Sequence, residues 1–324
     1  MYKTKFVLVM LVILVLASHS VWSQSERYTF QSIGNPIITH KFTADPAVLV
    51  VNDTLWLFTG EDAGPDLKGY TMRNWCVFST TDLQNWTEYP IPLRISDFEW
   101  ARSRGKAYAS HVVLRNGKYY WYVSTNGLGI GVAVSERLEG PYKDALGKPL
   151  LTNKDCFASK HSWACIDPAV FIDDDGQAWI FWGNRECYYA KLKDNMTEID
   201  GEVKQVKFKG FDFTEAPWVH KYKGKYYLTY ATGFPEKISY AMADNIEGPY
   251  EYKGILNEIA GNCTTNHQAI TEYKGKWYFF YHNGAKTGGG GASRSVCIDR
   301  LYYNKDKTLK RVVMTSEGVS SLKK

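Results

Sequence analysis

Three carboxylates and one histidine occupy matched places in this chain of 324 residues. Asp45 (Ala-Asp-Pro-Ala-Val) and Asp167 (Ile-Asp-Pro-Ala-Val) each stand three positions before an apolar residue that opens a β-rich run. Ala109 and His267 stand at the same phase, and Glu215 (Thr-Glu-Ala-Pro-Trp-Val) is displaced from it by one. Proline after the aspartate in Asp45-Pro46 and Asp167-Pro168 turns the acidic residue away from the helical region and keeps the chain extended as it enters the strand. One Asp-Pro is an ordinary strand opening. Two in phase, with Glu215 in the corresponding place of a third copy, point to a gathered set. Carboxylates that share a pocket raise one another's pKa, so that one stays protonated near neutral pH while another is ionised. Cleavage of a glycosidic bond by one acid and one base requires that division of roles.

A repeated hairpin must position these groups. Runs of Val, Ile, Phe, Tyr and Trp are broken by a polar turn in residues 48–58, 112–123, 170–182, 219–230 and 270–281. The turn markers Asp53, Gly117, Gly176, Gly224 and Gly275 lie 64, 59, 48 and 51 residues apart, within the period range of propellers and solenoids. A second β-rich segment follows each hairpin, and Glu-Gly-Pro-Tyr marks the turn after it at Glu139 and again at Glu247. Helix-length amphipathic periodicity is absent. The pattern predicts an all-β, five-bladed β-propeller, in which the first strand of each blade lines the central channel and Asp45, Asp167, Glu215 and His267 meet at one mouth of the axis. Residues 28–39, ahead of the first blade, are expected to pair with the last blade and close the ring.

Residues 1–23 carry Lys3 and Lys5, an uncharged apolar run over residues 6–17 and the small-residue pattern Val21-Trp22-Ser23, which reads as a secretory signal peptide too short to span a bilayer. Residues 24–324 are then one catalytic domain, expected to be soluble, monomeric and secreted or periplasmic. No later segment has the apolar length of a membrane span. A net charge of +5, with both signs interspersed, implies no nucleic-acid partner. The six cysteines have neither zinc-ribbon nor CxxC spacing, and export permits a disulfide, with Cys156 and Cys165 the nearest pair; isolated cysteines also pack as small apolar residues. Gly127-Leu-Gly-Ile-Gly131 imitates a nucleotide loop but precedes a strand where that motif needs a helix.

The set Ala44-Asp45-Pro46-Ala47, Ile166-Asp167-Pro168-Ala169-Val170, Thr214-Glu215-Ala216-Pro217 and Asn266-His267-Gln268 resembles glycoside hydrolase family 43, a five-bladed propeller family, over essentially all of the chain after residue 23. The resemblance implies Asp45 as the general base that activates water, Glu215 as the general acid that protonates the leaving oxygen, and Asp167 as the residue that tunes and orients that acid, with inversion at the sugar carbon. It implies that His267 sits near the axis and helps to hold a hydrated calcium or similar ion, although calcium prefers oxygen ligands. It implies that Arg294 contacts the sugar and the carboxylates, and that Trp100 and Tyr108 stack on sugar rings, with Tyr108 standing where many members carry Trp. Trp218 reads equally well as blade packing. The segments 100–110 and 289–303 most resemble enzymes that remove arabinofuranose from arabinoxylan, which implies an exo-acting α-L-arabinofuranosidase on a polysaccharide or oligosaccharide substrate, with no organic cofactor. A β-xylosidase of the same family and a non-catalytic carbohydrate-binding propeller are the competing readings.

Overall fold

The computed structural model describes residues 27–65, 69–210 and 212–319, so residues 1–23, expected to be a signal peptide, lie outside the described residues. The described residues form five sheets arranged as the blades of a β-propeller, antiparallel except for the short strand Phe208–Lys209, which pairs parallel with Tyr250–Asn257. Their inner strands are Phe42–Val51, Ser110–Arg115, Ala169–Ile172, Glu215–Tyr222 and Ala269–Tyr273, and each touches the next around the ring, the last touching the first. The turns are as the sequence predicts. Asn52-Asp53, Asn116-Gly117, Lys223-Gly224 and Lys274-Gly275 all hold positive φ at both central positions, the backbone that matches the twist of a two-residue hairpin. The only helical turns among the described residues are three residues long, at Ile95–Asp97 and Asn153–Asp155.

The aromatic residues fill the space between blades. Phe58 of the first blade meets Trp121 of the second edge to face, 5.0 Å between centroids, a geometry favoured by the ring quadrupoles. Tyrosine hydroxyls tie the blade edges: Tyr122 donates to the Met196 carbonyl (2.6 Å), Tyr226 to Asp173 (2.5 Å) and Tyr273 to the carbonyls of Asp53 and Thr81 (both 2.8 Å).

Closure divides the segment expected to perform it. Asn35 and Ile37 run beside Ser295–Leu301 of the last blade: Ile37 N–H donates to the Val296 carbonyl (2.8 Å), and the Asn35 amide pairs with both backbone groups of Ile298. Tyr28–Gln31 instead adds to Asn85–Glu88, the outer strand of the first blade. The opening stretch of the described residues therefore spans the seam, covering one otherwise open edge on each side.

Candidate active site

The inner strands begin with a kink, and the kink aims the acidic side chains. Asp45, Asp167 and Ala216 have φ of 52°, 55° and 56°, left-handed backbone that non-glycine residues rarely adopt and that costs about 1–3 kcal/mol each. Register shifts sit at the same places, between Ala44 and Ala47 and between Glu215 and Trp218. The residue truly equivalent to the two aspartates is thus Ala216. Glu215 projects from the position before it, which explains its one-residue displacement in the sequence.

These kinks open onto a cavity of about 350 Å³ at one mouth of the axis, lined by Asp45, Asp167, Glu215, His267, Arg294 and Tyr108 among others. Six of the seven residues singled out in the sequence meet there. Trp100 does not: its indole N–H donates to Asp144 Oδ2 (3.0 Å) and its ring packs edge-on against Phe98, because a nearby carboxylate satisfies the indole away from the cavity. The indole at the cavity wall is Trp163, which is 51% exposed.

Asp45 is held ionised. Burial acts to raise its pKa, but Arg294 and His282 overcome that and hold the carboxyl well below the usual carboxylate range. Arg294 Nη1 donates to Asp45 Oδ1 (2.9 Å), while Nε and Nη2 grip the two oxygens of Asp62 (2.9 and 3.0 Å), the planar fork using three directions at once. His282 Nδ1 lies 3.3 Å from Asp45 Oδ1, and its Nε2 lies 3.1 Å from the Thr265 carbonyl oxygen. Burial lowers the His282 pKa, yet the hydrogen bonds to Asp45 and Cys263 raise it to about 9, while the Asp45 backbone N–H also points at Nδ1 (3.2 Å).

Glu215 and Asp167 are pushed the other way. Burial, followed by repulsion from Glu215 and Asp45, raises Asp167 well above its ordinary value, even though the Ala216 N–H donates to its Oδ2 (3.1 Å). Burial raises Glu215 as well; the Asn184 amide, donating to Oε2 at 2.5 Å, works against this without reversing it. Two carboxyls on the proton-retaining side face one ionised carboxylate across a single cavity. The site can therefore give a proton and accept one in the same turnover.

His267 is buried, and burial lowers its pKa to about 4. Its Nδ1 lies 3.9 Å from Asp167 Oδ2, too far for a hydrogen bond, and the neutral ring makes no ion pair at neutral pH. Among the described residues no group of three or more His, Cys, Asp or Glu side chains is placed to hold a metal ion. A calcium ion takes about six to eight oxygen ligands, so a neutral imidazole with distant carboxylates does not form a protein cage for it. Among the described residues His267 would be the one side chain holding a hydrated ion whose remaining ligands are water, and no chemical step is assigned to such an ion.

Several members of the site carry no readable sequence signal. Asp62 ends the second strand of the first blade, His282 lies at the end of the second strand of the last, and Glu236 lies in the turn before Lys237–Ala243. His282 reaches the cavity, Glu236 the Glu215 carboxyl and Asp62 the Arg294 guanidinium only because the ring brings strand ends together. Asn184, just after the Ala178–Trp182 strand, is equally silent in the sequence.

The comparisons with known proteins agree with the fold. The chain is 30% identical to xylosidase/arabinosidase 43A of Humicola insolens, over 84% of this chain and 97% of that protein. It superposes with a TM-score of 0.78 and 28% identity on CoXyl43, a β-xylosidase/α-arabinofuranosidase from a compost microbial metagenome crystallised with xylotriose in a calcium-free form, covering 88% of this chain and 98% of that one. A second structure, an α-L-arabinofuranosidase from Clostridium thermocellum, is 37% identical with a TM-score of 0.72, covering 87% of this chain and 97% of that one. The model for glycosyl hydrolases family 43 matches residues 33–309, the whole propeller from its closing seam to the end of the last blade, and the chain belongs to that family of glycoside hydrolases.

Proposed function

We propose that this glycoside hydrolase is an exported exo-enzyme that removes terminal pentose units from plant polysaccharide with inversion, foremost α-L-arabinofuranosyl units from arabinoxylan. The observation that carries the reading is that Asp45, paired with Arg294 (2.9 Å), and Glu215, held by Asn184 (2.5 Å), line one cavity, with Asp45 pushed below and Glu215 above the usual carboxylate range. Asp45, ionised by Arg294, takes a proton from water. The water oxygen bonds to the anomeric carbon as the glycosidic C–O bond breaks, and Glu215 delivers its proton to the departing oxygen. Asp167, which accepts from the Ala216 N–H beside Glu215, orients the acid. A cavity of about 350 Å³ lies at the small end of ligand sites, which suits one terminal sugar better than a chain running through.

The relatives named as arabinosidase or arabinofuranosidase support the arabinose reading. β-Xylosidase activity is the second reading, supported by the double naming of the metagenomic enzyme and its bound xylotriose. Export rests on residues 1–23. The test is hydrolysis of 4-nitrophenyl α-L-arabinofuranoside, of the matching β-xyloside, and of arabinoxylan, with the first-formed anomer followed by proton NMR. Release of arabinose with inverted configuration is expected. A retained anomer would refute the single-displacement step, and xylose as the main product would favour the second reading.

A further inference from the structure

Glu236 is a buried carboxyl that the mechanism above does not use. Its side chain hydrogen-bonds that of Glu215, its Oε2 accepts the Asn266 N–H (2.8 Å), and its own N–H donates to the Thr264 carbonyl (2.9 Å). It is 3% exposed, and among the described residues no Lys, Arg or His forms an ion pair with it. Two carboxyls in hydrogen-bond contact inside a protein cannot both be anions, so a proton must lie between them. Asn184 occupies one side of the Glu215 carboxyl and Glu236 contacts the same group, which leaves Glu215 little freedom to rotate.

We propose that Glu236 is the positioning residue of the acid: a carboxylic acid that stays protonated through the cycle, orients Glu215, and donates a hydrogen bond to the Glu215 carboxylate once its proton has left for the sugar oxygen. The proton on Glu236 is not transferred; one O–H bond breaks at Glu215 and one forms on the leaving group. The charged and titratable groups facing the pair are Asp167, with His267 beyond it, Asp45 and Arg294. In agreement with a retained proton, burial and then repulsion from Glu215 raise Glu236 to about 10, while its hydrogen bond acts to lower Glu215. The loop carrying Asn266 and His267 is thereby coupled to the acid through one side chain.

The assignment of Glu215 as acid rests on the proposed function; the protonation of Glu236 does not. The experiment has two arms on the full-length enzyme. In the first, infrared spectra at pH 8 compare the wild type with E236Q: loss of one protonated-carboxyl C=O band is expected, and an unchanged band overturns the proposal even if no pentoside is cleaved. In the second, pH profiles of kcat/KM on arabinoxylan oligosaccharides compare E236Q, which keeps a donor, with E236L, which does not. E236L is expected to lower kcat at least about tenfold and to move the basic limb up by roughly one to two pH units, the size of one hydrogen bond to a charged group, with E236Q restoring most of both. A basic limb that E236L leaves in place, or that E236Q moves as far, overturns the positioning role. Should E236L fail to fold, the infrared arm and the E236Q profile still decide.

Discussion

Arg294 and Asp45, 249 residues apart in the chain, meet through a 2.9 Å contact between Nη1 and Oδ1 in which neither side chain is appreciably exposed. The same guanidinium lies 4.8 Å above the Tyr70 ring and holds Asp62 with its remaining edge, so it cannot swing away when substrate enters. This pairing holds Asp45 well below the usual carboxylate range and so keeps it available as a base at neutral pH.

Arg294→Gln removes the charge that outweighs burial at Asp45. The Asp45 pKa then rises, and the acid limb of the kcat/KM profile moves to higher pH. Asp45 and Asp62 also remain buried without their partner, a change that costs about 3–5 kcal/mol. Urea unfolding and a pH–rate series check both effects, and an unmoved acid limb would show that Asp45 is not the base.

Glu215→Gln keeps the shape and the Asn184 contact but carries no transferable proton. On unactivated arabinoside linkages kcat is expected to fall at least about 10²-fold. The loss should be smaller with 4-nitrophenyl substrates, whose leaving group needs little protonation. Equal losses for both leaving groups, measured by steady-state kinetics, would remove Glu215 from the acid role.

Stability should fall with alkaline pH because of Glu236. Its native pKa of about 10 lies above the unfolded value of 4.5, so between those values the native state binds the extra proton and the unfolded state does not. Raising the pH through that window therefore favours unfolding. In E236Q the dependence should flatten, so that its Tm relative to the wild type climbs steadily from about pH 5 to about pH 9. Asp45 has the opposite sign: its depressed pKa contributes stability above the unfolded value of 3.8 that is lost as the pH falls below it. Parallel Tm curves for the two proteins by calorimetry would contradict the Glu236 assignment.

Gly127 should tolerate no side chain. Its φ is +74°, and a Cβ there would meet the Ser162 carbonyl oxygen at 2.3 Å, next to the backbone of Trp163 at the cavity wall. Asn153 bridges the same two strips of chain, donating to the carbonyls of Ser162 (2.6 Å) and Gly127 (3.3 Å). Gly127→Ala is expected to raise KM several-fold with a smaller change in kcat, because it displaces the wall of the cavity and leaves Asp45 and Glu215 in place. Substrate kinetics separate the two effects.

The blades are legible in the sequence because each hairpin is local. A turn such as Asn116-Gly117 or Lys223-Gly224 needs only its own backbone geometry, and the apolar residues on either side of it report a sheet face. The Asp-Pro positions are legible but their kink is not: proline predicts an extended aspartate, whereas Asp45 and Asp167 take left-handed φ of 52° and 55°, imposed at Asp45 by the bulge at the start of the strand. Trp100 does not stack at the cavity as expected because its partner, Asp144, lies 44 residues away and outside any local pattern. Asp62, His282 and Glu236 give no signal, since a lone polar residue at a strand end looks the same whether it faces water or a cavity.

From the amino-acid order alone came the strands, their turns, the five-fold repeat and the phase that marks Asp45, Asp167 and His267, because these depend on interactions a few residues long. Only the closed ring decided which carboxylate is ionised and which keeps its proton. That choice depends on burial and on partners drawn from other blades: Arg294 and His282 for Asp45, Asn184 and Glu236 for Glu215. Electrostatic free energy follows distance in space and exclusion of water, and neither is set by separation along the chain.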